Sequence, residues 1–443
     1  MVATVHAIVL VDAARELGAL TADNKGCPVG VLLPIANKPM INYVLETLSR
    51  SGIVNVTLAG SNEDSMRLLS EWCRSGYSGP CVVDTLCDGN CGKAPVSLIR
   101  QLLPKLTGCE NIVIMEGNVV TDLALRAQML AHDMKEALLT MVVGKAPVET
   151  GDSGKSVAPT DYFSIQPDGV ISVYCHAQEK LRDVRIAEAC LSKHVHLTIR
   201  KDCRDMKTYI FRRNKLSSIL EENPGLTDIQ KHLIPYLVRY QLVSSNKVGN
   251  SMATLDRTSS TNLTACSGSE SHLHLQSMKH DSQQQAHAVI AYRVPQDVYC
   301  ELIDSLASYS SANRDVLAPH IASKFIDLKP NARSDAFIDS PVEFGNKVTV
   351  GNGSIVGRGS TLADRCSIKR SVIGPSCHIG ASSKIINCVI HDGVNIGDGC
   401  HIQNSIICCN AVIASKISMK DCQVGAEVTL ADPGNYKSEE FFD

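Results

Sequence analysis

Between Val356 and Leu430 an apolar residue recurs at intervals of six, six and five. The series runs Val356, Leu362, Ile368; Ile373, Ile379, Ile385; Ile390, Ile396, Ile402; Ile407, Ile413, Met419; Val424, Leu430. It closes every 17 residues, and a second ladder keeps the same phase: Ser371, Cys388, Ser405 and Cys422, each preceded by Arg370, Asn387, Asn404 or Asp421. Neither an α-helix nor a hairpin sheet has that period. A three-sided coil of short parallel strands does, with one inward aliphatic per side and small or polar residues at its corners. Five such coils, stacked at strand spacing, predict a prism about 24 Å tall. The period does not set its handedness.

The remaining sequence is long enough for further domains. A chain of 443 residues, 44% hydrophobic, predicts two to three. A net charge of -3 gives no broad basic field that would draw nucleic acid or a membrane surface. The nearest zinc-like spacing among 18 cysteines, Cys73, Cys81, Cys87 and Cys91, contains no C-x-x-C pair and reads as free thiols. Cys388 and Cys422 in the coil read as small apolar fillers, and reduced cysteines point to the cytosol. The first apolar run, Ala7 to Val11, stops at Asp12 and lacks a basic flank, so it is a buried strand rather than a signal segment. No later run approaches membrane length. The expectation is a soluble cytoplasmic protein.

Residues 1–243 read as one α/β domain. Strand-like runs at 7–11, 53–59, 111–115 and 138–143 alternate with helical segments at 40–50, 63–73, 94–103 and 123–135. That alternation predicts a mostly parallel, Rossmann-like sheet with helices on both faces. Ligands in such sheets bind beyond the strand carboxyl ends, here the loops after Val11 and Met115. Further strand-like pieces lie at 161–165, 170–175, 194–199 and 208–212, and a helix spans Asp228 to Val238. Residues 244–287, rich in Ser, Thr, Asn, Gln and His, are expected to form a disordered insert. A connector at 288–336, the β-helix at 337–431 and an acidic tail at 432–443 complete the division.

A doubly wound domain followed by such a coil resembles the sugar-1-phosphate nucleotidyltransferases, whose coil is a left-handed β-helix. That family carries G-G-x-G-T-R-L after its first strand, then a P-K-P-L-L-P segment and an N-K-P motif. Leu32-Leu33-Pro34-Ile35 and Asn37-Lys38-Pro39-Met40 match the later part. The loop does not match: Asp12-Ala13-Ala14-Arg15-Glu16-Leu17 has no glycine before Gly18. Glycines let backbone N–H groups close on phosphates, whereas Ala13, Ala14 and Glu16 would crowd and repel them. The family's lysine falls on Gly30, between Val29 and Val31, and its metal-binding aspartate falls on Asn118 in Glu116-Gly117-Asn118. Losing one preorganised electrostatic group costs about 10²–10³ in rate, and three are altered. Asp122 and Asp205 do not obviously substitute. The expectation is no catalytic, cofactor-binding or metal-binding residue.

Two further stretches resemble the gamma-subunit family of translation initiation factor 2B. One is Thr227-Asp228-Ile229 with Leu233-Ile234-Pro235-Tyr236-Leu237-Val238-Arg239-Tyr240-Gln241; the other is the coil string Ser367 to Gly374, continued by Asn387-Cys388-Val389-Ile390 and Asn404-Ser405-Ile406-Ile407. The resemblance implies a non-catalytic subunit of a guanine nucleotide exchange factor. Its implied partners are an epsilon subunit, alpha, beta and delta subunits, and the GTPase initiation factor 2, with no cofactor and no direct nucleic-acid contact. The resemblance leads to the expectation that the catalytic helical-repeat domain of epsilon has no counterpart here, the sequence running about a dozen residues beyond its last coil.

Other readings compete. An active GDP-mannose or ADP-glucose type pyrophosphorylase needs the glycine loop and the carboxylate; an inactive regulatory paralogue does not, and the I-P-Y-L-V-R helix argues against it. A hexapeptide acyltransferase needs a catalytic histidine, for which His378, His391 and His401 are candidates. The unbroken period opposes it, and His378 and His401, each preceding an inward aliphatic, should face outward. The cluster Arg200, Lys201, Arg204, Lys207, Arg212, Arg213 and Lys215 reads as a solvated strand face, lacking interleaved aromatic groups. Trp72 and the helix face around Met129, Leu130 and Met134 read as core, and Glu439-Glu440-Phe441-Phe442-Asp443 as a frayed end. The flat faces and ends of a β-helix need a cap or partner, which favours assembly.

Overall fold

The computed structural model describes residues 5–12, 17, 20, 30–89, 94–146, 161–176, 186, 188–193, 196–244, 288–331 and 335–442. All but the first residue of the 244–287 insert lies outside them. The first apolar run forms β1 (Val5–Leu10). A short hairpin, β2 (Pro34–Ile35) and β3 (Lys38–Pro39), leads into α1 (Met40–Arg50), which buries Ile41, Val44, Leu45 and Leu48 at the spacing expected of one helix face. The alternation continues through β4 (Asn55–Gly60), α2 (Glu63–Ser75), β5 (Val82–Cys87), α3 (Pro95–Leu102), β6 (Asn111–Glu116), β7 (Val119–Thr121), α4 (Arg126–Met134) and β8 (Leu139–Lys145). Then come β9 (Tyr162–Ile165), β10 (Ile171–Cys175), α5 (Glu188–Lys193), β11 (Cys203–Arg212), α6 (Arg213–Glu222) and α7 (Ile234–Ser244).

Two more strands complete the domain, β12 (Val289–Arg293) and β13 (Cys300–Leu302). The central sheet has the order β12-β8-β11-β6-β1-β4-β5. Every pairing in it is parallel except those of β11 with β6 and β8, so the expected mostly parallel sheet is present. The segment read as a connector supplies the edge strand β12 and two helices, Leu306–Asp315 and Pro319–Phe325.

Several local expectations are corrected. The described residues of the 194–199 run form no strand; Arg200 alone bridges to Phe163. Strand β5 escaped notice because it is an edge with no apolar run, and Val82, Asp84 and Thr85 are exposed. The Asp228 helix starts with a π-helical turn at Ile229–Leu233, capped by the Asp228 carboxylate, and runs on to Ser244. On α4 Met129 packs against the core as expected, but Leu130 is 61% and Met134 76% exposed, while Gln128 and His132 are fully buried. The burial of His132 is tolerable because its Nδ1 meets Thr140 Oγ1 at 2.9 Å. Trp72 is only half-buried, against Tyr77 and the rim of the core.

The period-17 segment is a left-handed β-helix of three parallel sheets with seven, six and six strands. Each inward aliphatic from Val356 to Val424 is at most 1% exposed. Residues 17 apart face each other across neighbouring coils, as Ile379, Ile396 and Ile413 do. The corners turn through left-handed backbone at Arg370, Asn387, Asn404 and Asp421, φ 49° to 56°. Beside them Ser371 and Ser405 accept the N–H groups of Cys388 and Cys422, each at 3.1 Å, which locks successive coils. Both thiols are buried, and burial pushes Cys388 up to about 12.

The prism exceeds the predicted five coils at both ends. The N-terminal coil, read from 337, stands outside the strict period because it is one residue longer, Phe337 facing Ile355. The C-terminal addition overturns the frayed tail: Glu440–Phe441 pairs with Gln423–Val424, and Phe441 packs edge-on against Tyr436, 5.2 Å between centroids. One of the three faces is covered by the chain itself. Its outward Ile355, Val372, Val389 and Ile406 are 2–5% exposed and join the core of the α/β domain.

Candidate functional site

The loops singled out after β1 and β6 meet, because those strands are neighbours with Leu10 opposite Glu116. Gly117 N–H donates to Leu10 O at 2.8 Å. A Cβ on Gly117 would lie 2.8 Å from Val31 Cγ1, so an aliphatic side chain fills the floor where the resemblance places phosphate-binding chemistry. Val31, Leu17 and Leu20 are all fully buried in the apolar core. Asp12 turns away from the mouth: its carboxylate accepts the Ser61 N–H at 2.8 and 3.1 Å. Ala13, Ala14, Arg15, Glu16, Gly18 and Val29 lie outside the described residues.

Asn118, at the position of the metal-binding aspartate, is completely buried. Its Nδ2 donates to Ile303 O at 2.9 Å, and its backbone carbonyl accepts the Ile303 N–H at 2.9 Å. The side chain thus latches β7 to the chain that follows β13, a contact only an amide can make, since a carboxylate has no proton to donate. Asp122 is equally engaged, accepting Tyr299 N–H at 2.7 Å and pairing with Lys324 Nζ at 2.5 Å. At the end of β6 the Glu116 carboxylate meets Lys207 Nζ at 2.8 Å. Lys207 stands in a bulge of β11 with φ 49°, where the register against β8 shifts. That pair was not legible as a site feature, because nothing in the sequence links residues 116 and 207.

The basic cluster is not one face. Arg200 pairs with Asp202, Arg204 with Asp304, Lys207 with Glu116, and Arg212 with Glu110 and Asp133. Lys201 stands over the Tyr162 ring, 5.1 Å from its centroid, and Arg213 donates to Leu103 O. The expected solvated strand face is therefore replaced by six individually matched cations, several half-buried along β11, with Lys215 on α6.

Asp205 belongs to a buried polar knot behind the mouth. Its carboxylate accepts Gln230 Nε2 at 2.9 Å, Lys207 N–H at 2.8 Å and the Tyr209 hydroxyl. Asp161 lies beside it, accepting the Asp205 N–H and meeting His176 Nδ1 at 2.9 Å. Desolvation, then repulsion from Asp161, push Asp205 up to about 6, while its donors pull the other way. A raised folded pKa means the stability Asp205 contributes is greatest below about pH 4 and is lost as pH rises towards 6. Relative to Asp205→Asn, the parent chain is expected to lose on the order of 2 kcal/mol across that interval. Paired thermal melts at closely spaced pH values check this; parallel curves would refute it.

The Asn37-Lys38-Pro39 motif serves the β-helix. Ala36 and Asn37, φ 48° and 63°, form the two-residue turn between β2 and β3. Asn37 Nδ2 donates to Ile373 O of the coil at 2.7 Å, and Ala36 N–H donates to Asn313 Oδ1 at 2.9 Å. Beside them Tyr309 donates to Pro34 O at 2.6 Å and meets His391 Nε2 at 2.9 Å. His391, one acyltransferase candidate, is thus buried in the domain junction, and desolvation pushes it down to about 4. His378 and His401 are exposed, as expected, on two different faces of the prism.

Comparison with known proteins agrees with this arrangement. A family model described as the EIF2B subunit epsilon LbH domain matches residues 333–434. Translation initiation factor eIF2B subunit gamma of Dictyostelium discoideum is 27% identical over 368 residues, 79% of this chain and 82% of that protein. The epsilon subunit of Schizosaccharomyces pombe is 26% identical over 256 residues, 55% of this chain but 35% of that protein. The gamma subunit of the same yeast is 24% identical over 224 residues, covering 48% and 47%. The resemblance to the gamma-subunit family holds across both domains.

Proposed function

We propose that this chain is a non-catalytic, gamma-type subunit of the eIF2B complex, positioning the epsilon subunit within an assembly that also holds alpha, beta and delta subunits. The observation that carries the reading is the gamma match, which takes in about four fifths of both chains. The absence of nucleotidyl transfer is supported by the mouth of the sheet: Val31 fills its floor, Asn118 is committed to Ile303, and Glu116 is neutralised by Lys207. Each of these groups serves folding where a transferase needs a glycine cradle, a free carboxylate for a divalent cation and an unpaired lysine.

In this reading the complex promotes GDP-to-GTP exchange on initiation factor 2 in the cytosol. Exchange requires that the factor bind the nucleotide-free GTPase more tightly than the GDP-bound one, and a rigid scaffold supports that preference by holding epsilon in a fixed orientation. No helix among the described residues is long and apolar enough to cross a membrane. The test is mass spectrometry of what co-purifies with the tagged chain from its own cells. Four further eIF2B subunits with initiation factor 2 are the expected result. A pyrophosphorylase with an intact glycine loop and aspartate, in their place, would make the chain a regulator of nucleotide-sugar synthesis.

A further inference from the structure

The three faces of the β-helix share one backbone but carry different outward side chains. The first, carrying Ile355, Val372, Val389 and Ile406, is buried against the α/β domain. The second presents Thr361, His378, Asn395, Val412 and Thr429 in register and is nearly neutral. The third is different. Its two outward columns are Ser367, Lys384, His401, Ser418, Asn435 and Lys369, Ile386, Gln403, Lys420, Lys437. They hold four lysines and no carboxylate, in a chain whose net charge is -3.

We propose that this third face is a docking surface for an acidic segment of a partner protein. All four lysines are exposed, and none is ion-paired among the described residues. Three carboxylates at the adjoining corners are already engaged: Asp364 accepts the Asn346 N–H, Asp398 the Ala381 N–H and Asp421 the Asn404 amide, while Asp432 and Glu439 flank only the last coil. Lys420 lies directly opposite Lys437 one coil away, a like-charge pairing that opposes folding and that a carboxylate laid across both would relieve.

The column from Lys369 to Lys437 spans about 19 Å at strand spacing, the reach of about six extended residues. Ile386 is the second residue of it, 37% exposed, between Lys369 and Gln403 and two residues along its own strand from Lys384. An exposed aliphatic flanked by lysines offers a protein segment an apolar contact beside the charged ones. Single-stranded RNA fits less well, because the two columns contain no Phe, Tyr or Trp for base stacking, only the imidazole of His401, and no arginine to grip phosphate.

Fluorescence anisotropy of the full chain tests the surface, with a labelled glutamate-rich dodecapeptide carrying one central leucine as probe and oligouridine as the alternative. The peptide is expected to bind at low salt. The variant Lys369→Glu, Lys420→Glu, Lys437→Glu should weaken it by about tenfold or more, while Lys105→Glu, Lys145→Glu, Lys231→Glu changes it by less than about twofold. If the first variant does not fold, the glutamine triple at the same positions replaces it, with retention of the parent melting curve as the criterion. Equal loss in both variants, no loss in either, or tighter binding of oligouridine through the same lysines overturns the proposal.

Discussion

Replacing Ile396 with aspartate is expected to unfold the β-helix. Ile396 is fully buried and sits between Ile379 and Ile413 in the inward stack, with no polar partner within the coil interior at that level. A carboxylate there would be desolvated without compensation, and the coil above and below depends on the same register. Truncation to alanine isolates the packing part and should cost about 2–5 kcal/mol. The adjacent Asn395 is exposed on the same strand, so Asn395→Asp should stay within about 0.5 kcal/mol of the parent. Circular dichroism with denaturant titration of the three variants checks the contrast. Equal tolerance at 395 and 396 would contradict the inward–outward alternation. Because one face of the prism packs on the α/β domain, loss of the coil also removes Val372, Val389 and Ile406 from the core they share with that domain.

The second large effect is expected at Asn118. Restoring aspartate recreates the carboxylate of the nucleotidyltransferase motif, yet the site offers it an acceptor instead of a donor. The Ile303 carbonyl, 2.9 Å from Asn118 Nδ2, would face a buried carboxylate oxygen. A destabilisation of about 1–3 kcal/mol is expected, with no gain of nucleotidyl transfer. Thermal melts with and without Mg²⁺, alongside an assay for released pyrophosphate, measure both halves. A variant stabilised by Mg²⁺, or one that releases pyrophosphate, would show a transferase centre one residue from function. The Ile303 latch and the Val31 floor argue that more than one residue has changed.

Much of the β-helix was legible because its contacts are local in a periodic sense. Each residue meets those 17 positions away, so a single chain displays the pairing partners repeatedly and the inward series from Val356 to Val424 needs no tertiary information. The same holds for α1, whose apolar face repeats at helical spacing. Legibility failed where repetition failed: at the edge strand β5 and on α4, where Gln128 and His132 take the buried side. There Leu130 and Met134 point outward while Met129 packs inward, because α4 is oriented by its neighbours and the hydrogen bond of His132 to Thr140.

The degeneracy of the mouth was readable from residue types alone, at Gly30 and Asn118. What replaced the lost chemistry was not. Asn37 bonding Ile373, Asn118 bonding Ile303 and Lys207 pairing with Glu116 join residues separated by 336, 185 and 91 positions. By itself the sequence determined the coil, its phase and the alternating α/β plan, since burial and strand period leave few other solutions. The tertiary structure alone decided which prism face is covered by the chain and which is left bare and basic. It also turned an N-K-P motif and an asparagine into clasps, because a polar side chain takes its role from the donor or acceptor it meets once the chain has closed around it.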